Sequence, residues 1–290
     1  MKNVLAFITR VTAAIIGRKN LESFLIFCAK SINANLHIHG LLQIGTTNGV
    51  HLDNDKEEFF VKNILPALME NEIEPILFDI GANIGNYSLL LKKHIDKGLI
   101  YSFEPVPETY LELQKNISTK IKTYNIGFGA IAGTGILYNA SNTVASEIAT
   151  MHKELLTDAF NVNEFTSIPF KIDTIDNFCL TNKIPVIDFL KLDVEGNELA
   201  ILQGASKMLD THSIKIIQFE FNAHNVYSRV FLRDFYLLLK DFNFYRLNST
   251  GLISLGQYQP INEIFTAQNI LAVHKTIVSK IDSKYYEAYG

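Results

Sequence analysis

Short apolar runs alternate with amphipathic segments through the central part of the chain. Runs of four to eight apolar residues predict buried strands, and apolar residues at every third or fourth position predict helices. The predicted strands cover residues 76–80, 99–104, 121–126, 186–192, 214–221, 242–247 and 270–274, and the predicted helices cover residues 86–94, 108–117, 198–209 and 229–240. Such alternation is typical of a parallel sheet with helical crossovers. The sequence therefore predicts an α/β fold.

Residues 127–172 interrupt this alternation. Four glycines punctuate short strands there, such as the one predicted over residues 135–138, and the polar stretch 139–146 follows. Because loops that leave the edge of a sheet carry much of an enzyme's specificity, we expect this insert to line a ligand pocket.

The N-terminal segment has a helical pattern of its own. Val4, Ile8, Val11 and Ile15 recur at helical spacing, and Asn20 is a suitable N-cap for a second helix. A weak alternation over residues 36–44 predicts a strand. We divide the chain into a helical extension at 1–74, a main domain at 75–278 and a C-terminal tail at 279–290.

Composition and charge narrow the class of protein. The chain has 290 residues, 48% hydrophobic and 19% charged, which supplies a sizeable core and excludes disorder as the main state. The formal net charge is −4, yet residues 1–50 contain five basic residues and one acidic residue, a net charge of +4 that leaves −8 for the rest. Since phosphate binding needs clustered basic residues, we expect no nucleic-acid partner.

The basic N-terminal helices allow two interpretations. They could pack as a cap on the main domain or on a second copy in a homodimer, which base rates favour. Alternatively, they could lie on a membrane surface, because basic residues accompany the apolar face.

Several features indicate a cytoplasmic protein. The uncharged apolar stretch at residues 11–17 is far shorter than the ~20 residues of a membrane span. Arg10 interrupts what would be the apolar core of a signal peptide. Cys28 and Cys179 lie far apart in apolar contexts, as expected of two buried thiols in a reducing compartment.

The strongest local motif is DIGANIGNYS at residues 79–88, between a predicted strand and helix. Gly81 and Gly85 permit a tight turn and close backbone approach to a ligand, and the helix presents its positive N-terminus to an anionic group. Glu104, at the end of the next strand, can accept both hydroxyls of an adenosine ribose. Alternatively, the glycines serve only to form a tight turn, and no ligand binds there.

Two ligand classes fit this loop, a dinucleotide and S-adenosylmethionine. A dinucleotide fingerprint spaces its glycines as GxGxxG to seat a pyrophosphate, whereas this loop reads DxGxNxG. The carboxylate of Asp79 would repel a pyrophosphate and attract the amino group of S-adenosylmethionine. The charge pattern therefore favours the methyl donor.

Residues 79–88, taken with the segment IDFLKLDVEGNE at residues 187–198 and its continuation through Ala205, resemble the FkbM family of methyltransferases. The resemblance covers about residues 75–275. It implies a class I methyltransferase (Rossmann-like) fold, in which a seven-stranded, mostly parallel sheet has an antiparallel last strand. It also implies S-adenosylmethionine-dependent methylation of hydroxyls on sugars or related natural products.

A cofactor site follows from the motif and the resemblance. The expected cofactor-binding residues are Asp79, Gly81, Asn83, Gly85, Asn86, Ser88, Glu104, Asn125 and Asp193. Asn125 is included because the chain has Phe128-Gly129-Ala130 where the family often has an acidic turn. Asn125 or the Gly127 backbone is expected to replace that contact to adenine.

The catalytic candidates cluster at the ends of the fourth and fifth predicted strands. Asp193 ends a strand and so faces the crevice, where it could hold the donor's amino group or orient an acceptor hydroxyl. Methyl transfer also requires deprotonation of the acceptor. Glu220 and His224 are placed to serve as base or sugar-binding groups, and His224 comes first because imidazole titrates near neutral pH.

Further residues complete the predicted acceptor site. We assign acceptor binding to Lys191, Glu195, Ser146 and Tyr227. A divalent metal between Asp193, Glu220 and a neighbouring acid would acidify a hydroxyl, but no clear third oxygen ligand is evident, so no metal is predicted.

The leading functional hypothesis is an O-methyltransferase that acts on a sugar, either a nucleotide-linked sugar or a surface polysaccharide precursor. Methylation of RNA or of another small molecule is one alternative. A non-catalytic, cofactor-binding scaffold that recruits glycan machinery through the basic N-terminus is the other.

Overall fold

The computed structural model describes residues 2–46, 53–117, 120–140, 149–158, 161–162 and 164–287. The chain divides into two compact units, Met1–Ile44 and Gly45–Gly290.

The first unit is helical. It contains α1 (Lys2–Ile16), α2 (Arg18–Ser31) and α3 (Leu36–Gln43). The strand predicted over residues 36–44 is wrong: this segment is a helix, and the Asn35 side chain caps it by accepting a hydrogen bond from the Ile38 N–H at 3.2 Å. Asn20 is not a cap either, since α2 begins at Arg18. Among the described helices, none has the length and apolarity needed to cross a bilayer.

The second unit is built from alternating helices and strands. Its helices are α4 (Asp53–Asn63), α5 (Leu65–Leu68), α6 (Asn86–His94), α7 (Pro107–Asn116), α8 (Lys153–Asp158), α9 (Ile175–Asn182), α10 (Glu198–Gln203), α11 (Ser206–Asp210), α12 (His224–Ser228) and α13 (Leu232–Leu238). Its strands are β1 (Ile76–Ile80), β2 (Leu99–Phe103), β3 (Ile121–Tyr124), β4 (Gly127–Phe128), β5 (Gly133–Ala140), β6 (Phe165–Asp173), β7 (Ile187–Leu192), β8 (Ile214–Phe221), β9 (Phe242–Leu247), β10 (Leu252–Ser254), β11 (Gln268–His274) and β12 (Tyr286–Glu287).

The large sheet has the order β12-β10-β9-β11-β8-β7-β1-β2-β3 in the described part of the chain. Five neighbouring strands of this sheet, β3, β2, β1, β7 and β8, pair in parallel. Strand β11 runs antiparallel to both β8 and β9. This confirms the predicted class I methyltransferase sheet with an antiparallel last strand. The short strands β10 and β12 extend the predicted seven strands at one edge.

The core lies on both faces of this sheet, because successive side chains of a strand point to opposite sides. Phe78 and Ile80 of β1 belong to a buried cluster with residues of α9 and α10. Leu77 belongs to the other cluster, with residues of α4 and α6. Such a sheet, covered by helices on both faces, exposes its strand ends as the natural place for a ligand.

Helices α4 and α5 are integral to this unit. Phe60, Val61, Ile64 and Leu65 are almost completely buried in the second cluster. The compact unit therefore begins at Gly45, ahead of the domain boundary proposed at residue 75. A short amphipathic helix gives no sequence signal of which domain covers its apolar face, so the pattern alone did not show this.

Three local predictions need correction. The helix expected over residues 198–209 is two helices, α10 and α11, and between them lies Gly204, where a Cβ would lie 2.2 Å from the Gly129 carbonyl oxygen. The expected C-terminal tail contributes β12, which pairs with β10. Of the two cysteines, Cys179 is buried, with its pKa raised to about 12 by burial, whereas Cys28 is partly exposed.

The predicted insert forms a second sheet. Its order is β4-β6-β5, with β5 and β6 antiparallel over the length of both strands. Leu137 of β5 and Phe170 of β6 pack with Val106 in a small apolar cluster. This sheet therefore places an apolar wall next to the carboxyl end of β2.

Candidate active site

A cavity of about 660 Å³ lies at the carboxyl ends of the parallel strands. Its walls come from the loop after β1, the end of β2, the end of β7 and Glu220 of β8. The second sheet and α4 complete the lining. Open parallel sheets bind ligands at this edge because strand ends, loops and helix N-termini converge there.

The glycine loop has the geometry that its sequence predicts. Gly81 has φ +83°, and a Cβ there would lie 1.8 Å from the carbonyl oxygen of Asp193. Gly85 has a left-handed conformation at the N-cap of α6. Gly81, Asn83 and Asn86 line the cavity, so the loop backbone and the first turn of α6 both face a bound ligand.

Glu104 is held at the rim of the cavity by two backbone amides. Its Oε2 accepts from the Asn83 N–H at 3.0 Å, and its Oε1 accepts from the Val106 N–H at 2.9 Å. Each carboxylate oxygen keeps a further lone pair for a ligand hydroxyl. Burial raises the pKa of Glu104 to about 7, in spite of the two amide hydrogen bonds, which lower it.

Asp79 lies beneath the glycine loop and does not line the cavity. Its side chain is fully buried, and its Oδ2 accepts from the Ser88 hydroxyl at 2.5 Å. The Ser88 hydroxyl also contacts that of Ser102 at 2.6 Å. Direct contact of Asp79 and Ser88 with the donor stays a prediction, while their position shows a role in holding β1, β2 and α6 together.

Lys191 and Asp193 form an ion pair at the end of β7. Lys191 Nζ lies 2.7 Å from Asp193 Oδ2 and 4.5 Å from the centroid of the Tyr87 ring, and its side chain is only 6% exposed. Burial lowers the pKa of Lys191, but the carboxylates of Asp193, Glu57 and Asp79 more than offset this and raise it. Lys191 is therefore a fixed cation and cannot serve as a base.

A buried network that the sequence analysis missed supports this pair. Tyr87 donates to Gln218 Oε1 at 2.6 Å, and Gln218 Nε2 donates to Glu57 Oε1 at 2.7 Å. Glu57 Oε1 lies 3.9 Å from Lys191 Nζ, and Glu57 lines the cavity. Glu57 belongs to α4, more than a hundred residues from Lys191 in sequence. The segment around it matches no motif, so no local signal could have found it.

Three carboxylates meet where an acceptor would enter. One oxygen each from Asp193, Glu195 and Glu220 lies within 4.8 Å of the others, so Glu195 is the third oxygen ligand that the sequence did not identify. These three groups could hold a divalent cation. Lys191 already pairs with Asp193, and a cation would compete with that ion pair.

Glu195 and His224 form a coupled pair at the same place. Glu195 Oε2 contacts His224 Nδ1. Burial, followed by the charges of Glu220 and Asp193, raises the pKa of Glu195 well above its ordinary value. Burial lowers the pKa of His224 to about 4. Burial therefore opposes charge on both side chains, so the contact between them is made where ionisation of either group is disfavoured.

The structure brings together only part of the predicted acceptor set. Lys191, Glu195, Asp193 and Glu220 line the cavity, whereas His224 lies behind Glu195 and is not part of the lining. Tyr227 follows on α12 and is not part of the lining either. Ser146 lies outside the described residues.

An apolar wall closes the donor end of the cavity. Pro105, Val106, Gly127 and Phe128 lie there with Phe170 of the second sheet. Asn125, expected beside adenine, instead donates to the carbonyl oxygens of Glu104 and Pro105 at 2.8 and 3.0 Å. The Asn125 side chain shapes the turn that places Glu104. Of the two residues expected beside adenine, Asn125 and Gly127, it is Gly127 that lines the cavity.

Comparison with known proteins identifies the family. The sequence model of the methyltransferase FkbM domain matches residues 79–246, more than half of the chain. The chain belongs to the FkbM methyltransferase family. This FkbM domain spans the glycine loop, Glu104 and the Asp193–Glu198 segment, so the predicted family is confirmed on the residues that form the cavity.

Curated relatives of this FkbM protein are methyltransferases. Hexuronic acid methyltransferase AglP of Haloferax volcanii is 26% identical over 152 residues, which are 52% of this chain and 58% of AglP. Methyltransferase sdnD of Sordaria araneosa is 27% identical over 158 residues, 46% of this chain and 61% of sdnD. The chain thus spans about three fifths of the length of the curated relatives that it matches.

Solved methyltransferase structures show a distant likeness. The METTL16 methyltransferase domain has a TM-score of 0.38 at 12% identity, covering 73% of this chain and 64% of that one. Precorrin-6y C5,15-methyltransferase of Geobacter metallireducens has a TM-score of 0.39 at 10% identity, covering 80% of this chain and 95% of that one.

S-adenosylmethionine is the methyl donor of this family, and the cavity suits it. Glu104 offers free lone pairs to the ribose hydroxyls, and the apolar wall beside Val106 and Phe128 suits adenine. The first turn of α6 suits the donor's carboxylate. Asp193 lines the cavity, and its contact with the donor's amino group or with an acceptor hydroxyl stays a prediction. The absence of a Cβ at Gly81 keeps the loop close to β7.

The raised pKa of Glu104 predicts that donor affinity depends on pH. An ionised carboxylate accepts hydrogen bonds from the ribose better than a protonated one, so affinity falls as the pH drops through about 7. If only the ionised form binds, the Kd at pH 6 is about tenfold higher than at pH 8. Isothermal titration calorimetry of the full chain with S-adenosylmethionine measures this difference.

The matched control is Glu104→Gln, which cannot ionise. It should bind the donor weakly and lose this part of the pH dependence, while titration of Glu195, Glu198 or the donor itself remains. A wild-type curve that parallels the Glu104→Gln curve at every pH would show that Glu104 does not bind the ribose.

Proposed function

We propose that this chain transfers a methyl group from S-adenosylmethionine to a hydroxyl of a sugar or glycan unit. The observation that carries the proposal is the cluster of Asp193, Glu195 and Glu220, which borders the donor cavity with one oxygen each within 4.8 Å. Carboxylates in such an arrangement can accept hydrogen bonds from neighbouring sugar hydroxyls and can take up a proton from one of them.

When bound, S-adenosylmethionine supplies a methyl group on a sulfonium for direct displacement by the acceptor oxygen. This chain's residues align the acceptor and remove its proton. Glu195 suits the role of base, since burial and neighbouring acids raise its pKa well above the ordinary value, which makes its ionised form a stronger proton acceptor.

His224 acts through Glu195 in this proposal. Its Nδ1 contacts Glu195 Oε2, and it is shielded from the cavity. The contact fixes the orientation of the Glu195 carboxylate, and His224 itself does not reach the acceptor. Asp193, paired with Lys191, and Glu220 are left to orient the acceptor hydroxyls.

The charge of the cavity favours an acceptor that is neutral at the reacting ring. Glu57, Glu58, Glu104, Asp193, Glu195 and Glu220 line it, and Lys191 is the one basic residue among the described lining residues. Phosphates of a nucleic acid would meet mainly repulsion here. AglP, described as a hexuronic acid methyltransferase, supports a sugar acceptor but not the neutral ring, because a hexuronic acid carries a carboxylate.

The setting of the reaction is part of the same proposal. The two unpaired cysteines accord with a cytoplasmic, reducing compartment. There, nucleotide-linked sugars and precursors of surface polysaccharides are the expected acceptors.

An acceptor panel tests the proposed function. The full chain is incubated with S-adenosylmethionine and separate nucleotide sugars, neutral glycosides, uronic acid glycosides and RNA, and S-adenosylhomocysteine release is measured together with the mass of each acceptor. The expected result is methyl-ether formation on a sugar. Methylation of RNA alone would contradict the proposal, and donor binding without any transfer would favour the scaffold hypothesis.

A further inference from the structure

The N-terminal unit exposes large apolar side chains along its helices. On α1, Phe7, Ile8, Val11 and Ile15 are exposed, with Phe7 at 68% and Ile15 at 77%. At 100° per residue these four positions fall within an arc of about 100°. They therefore form one continuous apolar stripe along the helix.

Helix α2 also exposes large apolar side chains, but they lie around the helix axis and not along one stripe. Four consecutive residues, Phe24 to Phe27, are all exposed, although each is a large hydrophobic residue. Within the described side chains of α2, Ala29 is the one that is buried. An apolar surface of this kind is unusual unless it contacts a partner or a lipid.

The charges around this surface are basic. Arg10, Arg18, Lys19 and Lys30 are exposed, and the single acidic residue of the unit, Glu22, is already paired with Arg18 at 2.8 Å. Two copies of this unit would bring like charges together, whereas an anionic surface would attract the basic residues of each copy. The exposed apolar stripe and the basic residues therefore fit the same partner.

We propose that α1 and α2 dock in the plane of a membrane surface that carries anionic lipids. The apolar side chains enter the boundary between headgroups and acyl chains, and the basic residues contact the lipid phosphates. Neither helix crosses the bilayer, in keeping with the described helices. This inference does not depend on the proposed acceptor, because it rests on the surface of the N-terminal unit alone.

Vesicle co-sedimentation of the full chain tests the docking. The probes are vesicles of phosphatidylcholine alone and of phosphatidylcholine mixed with phosphatidylglycerol. We expect partitioning to the mixed vesicles to be at least tenfold stronger and to weaken as salt is raised, since exposed charges are screened.

Two variants separate the apolar contribution from the electrostatic one. Phe7→Ser with Ile15→Ser should weaken binding to the mixed vesicles at least tenfold. Arg10→Gln with Lys19→Gln should weaken it by about 25-fold, because each basic residue near an anionic surface contributes a factor of about five. The matched control is Ile131→Ser with Ile261→Ser, which alters residues of the second unit that are 80% and 77% exposed and should leave binding unchanged.

Three results would overturn the proposal. One is no sedimentation of the wild-type chain with mixed vesicles. Another is equal sedimentation of the Phe7→Ser, Ile15→Ser variant and the wild type, with far-UV circular dichroism confirming that both are folded. The third is a homodimer in light scattering that dissociates in this variant while vesicle binding is absent, which would assign the apolar surface to a second copy.

Discussion

Replacing Glu195 with Gln is expected to lower kcat by about 10²- to 10⁴-fold, the usual contribution of a general base. The amide is nearly isosteric and cannot take the proton of the acceptor hydroxyl. Donor affinity should stay within about threefold, because the expected ribose contact is that of Glu104 and not of Glu195. The measurement is single-turnover methyl transfer to the sugar that reacts best in the acceptor panel.

The matched control for Glu195→Gln is Glu154→Gln, which changes an exposed residue of α8 in the same way. It should transfer methyl groups at the wild-type rate. If Glu195→Gln also kept kcat within about threefold, the base would have to be another member of the cluster.

His224→Gln distinguishes an orienting role from that of a direct base. The variant removes the imidazole that contacts Glu195, so we expect a moderate loss of kcat and a shifted pH dependence. Loss as large as that of Glu195→Gln would indicate that the two side chains act as one unit.

Replacing Gly81 with Ala is expected to reduce the free energy of unfolding by about 2–4 kcal/mol. A Cβ at this position would lie 1.8 Å from the Asp193 carbonyl oxygen, and φ is +83°. To relieve the clash, the loop after β1 must move away from the end of β7. The expected consequence is at least a tenfold weaker donor affinity, measured by calorimetry on the protein that remains folded.

Gly133→Ala is the control for the effect of the methyl group itself. A Cβ at Gly133 meets nothing within 4 Å, and its backbone is not left-handed. Its stability in urea unfolding should stay within about 0.5 kcal/mol of the wild type. Equal stability of the Gly81→Ala and Gly133→Ala variants would contradict the tight contact between the loop and β7.

The sequence predicted the cofactor end of the site better than the acceptor end. Gly81, Asn83, Asn86 and Glu104 line the cavity because a strand, a glycine turn and a helix are adjacent in sequence. Such local patterns fix the positions of neighbouring side chains through backbone geometry. Asp79, from the same motif, is buried instead, and its carboxylate accepts a hydrogen bond from Ser88 beneath the loop.

The acceptor end depends on distant segments. Glu57 reaches Lys191 only because α4 packs beside α6, which carries Tyr87, on the face of the sheet that carries Gln218. His224 has the residue type expected of a base, yet the turn after β8 places it against Glu195. Neither position follows from the spacing of residues along the chain.

The apolar pattern and the two motifs by themselves determined the α/β class, the succession of central strands and helices along the chain, the resemblance to the family and the loop that lines the cavity. These features depend on contacts between residues close in sequence and on the periodicities of strand and helix. Only the tertiary structure decided which carboxylates share the cavity, that Glu195 is the one in contact with the His224 imidazole, and that α4 belongs to the same compact unit as the sheet. Packing between distant elements sets those distances, and burial at the resulting contacts sets the protonation of the side chains involved.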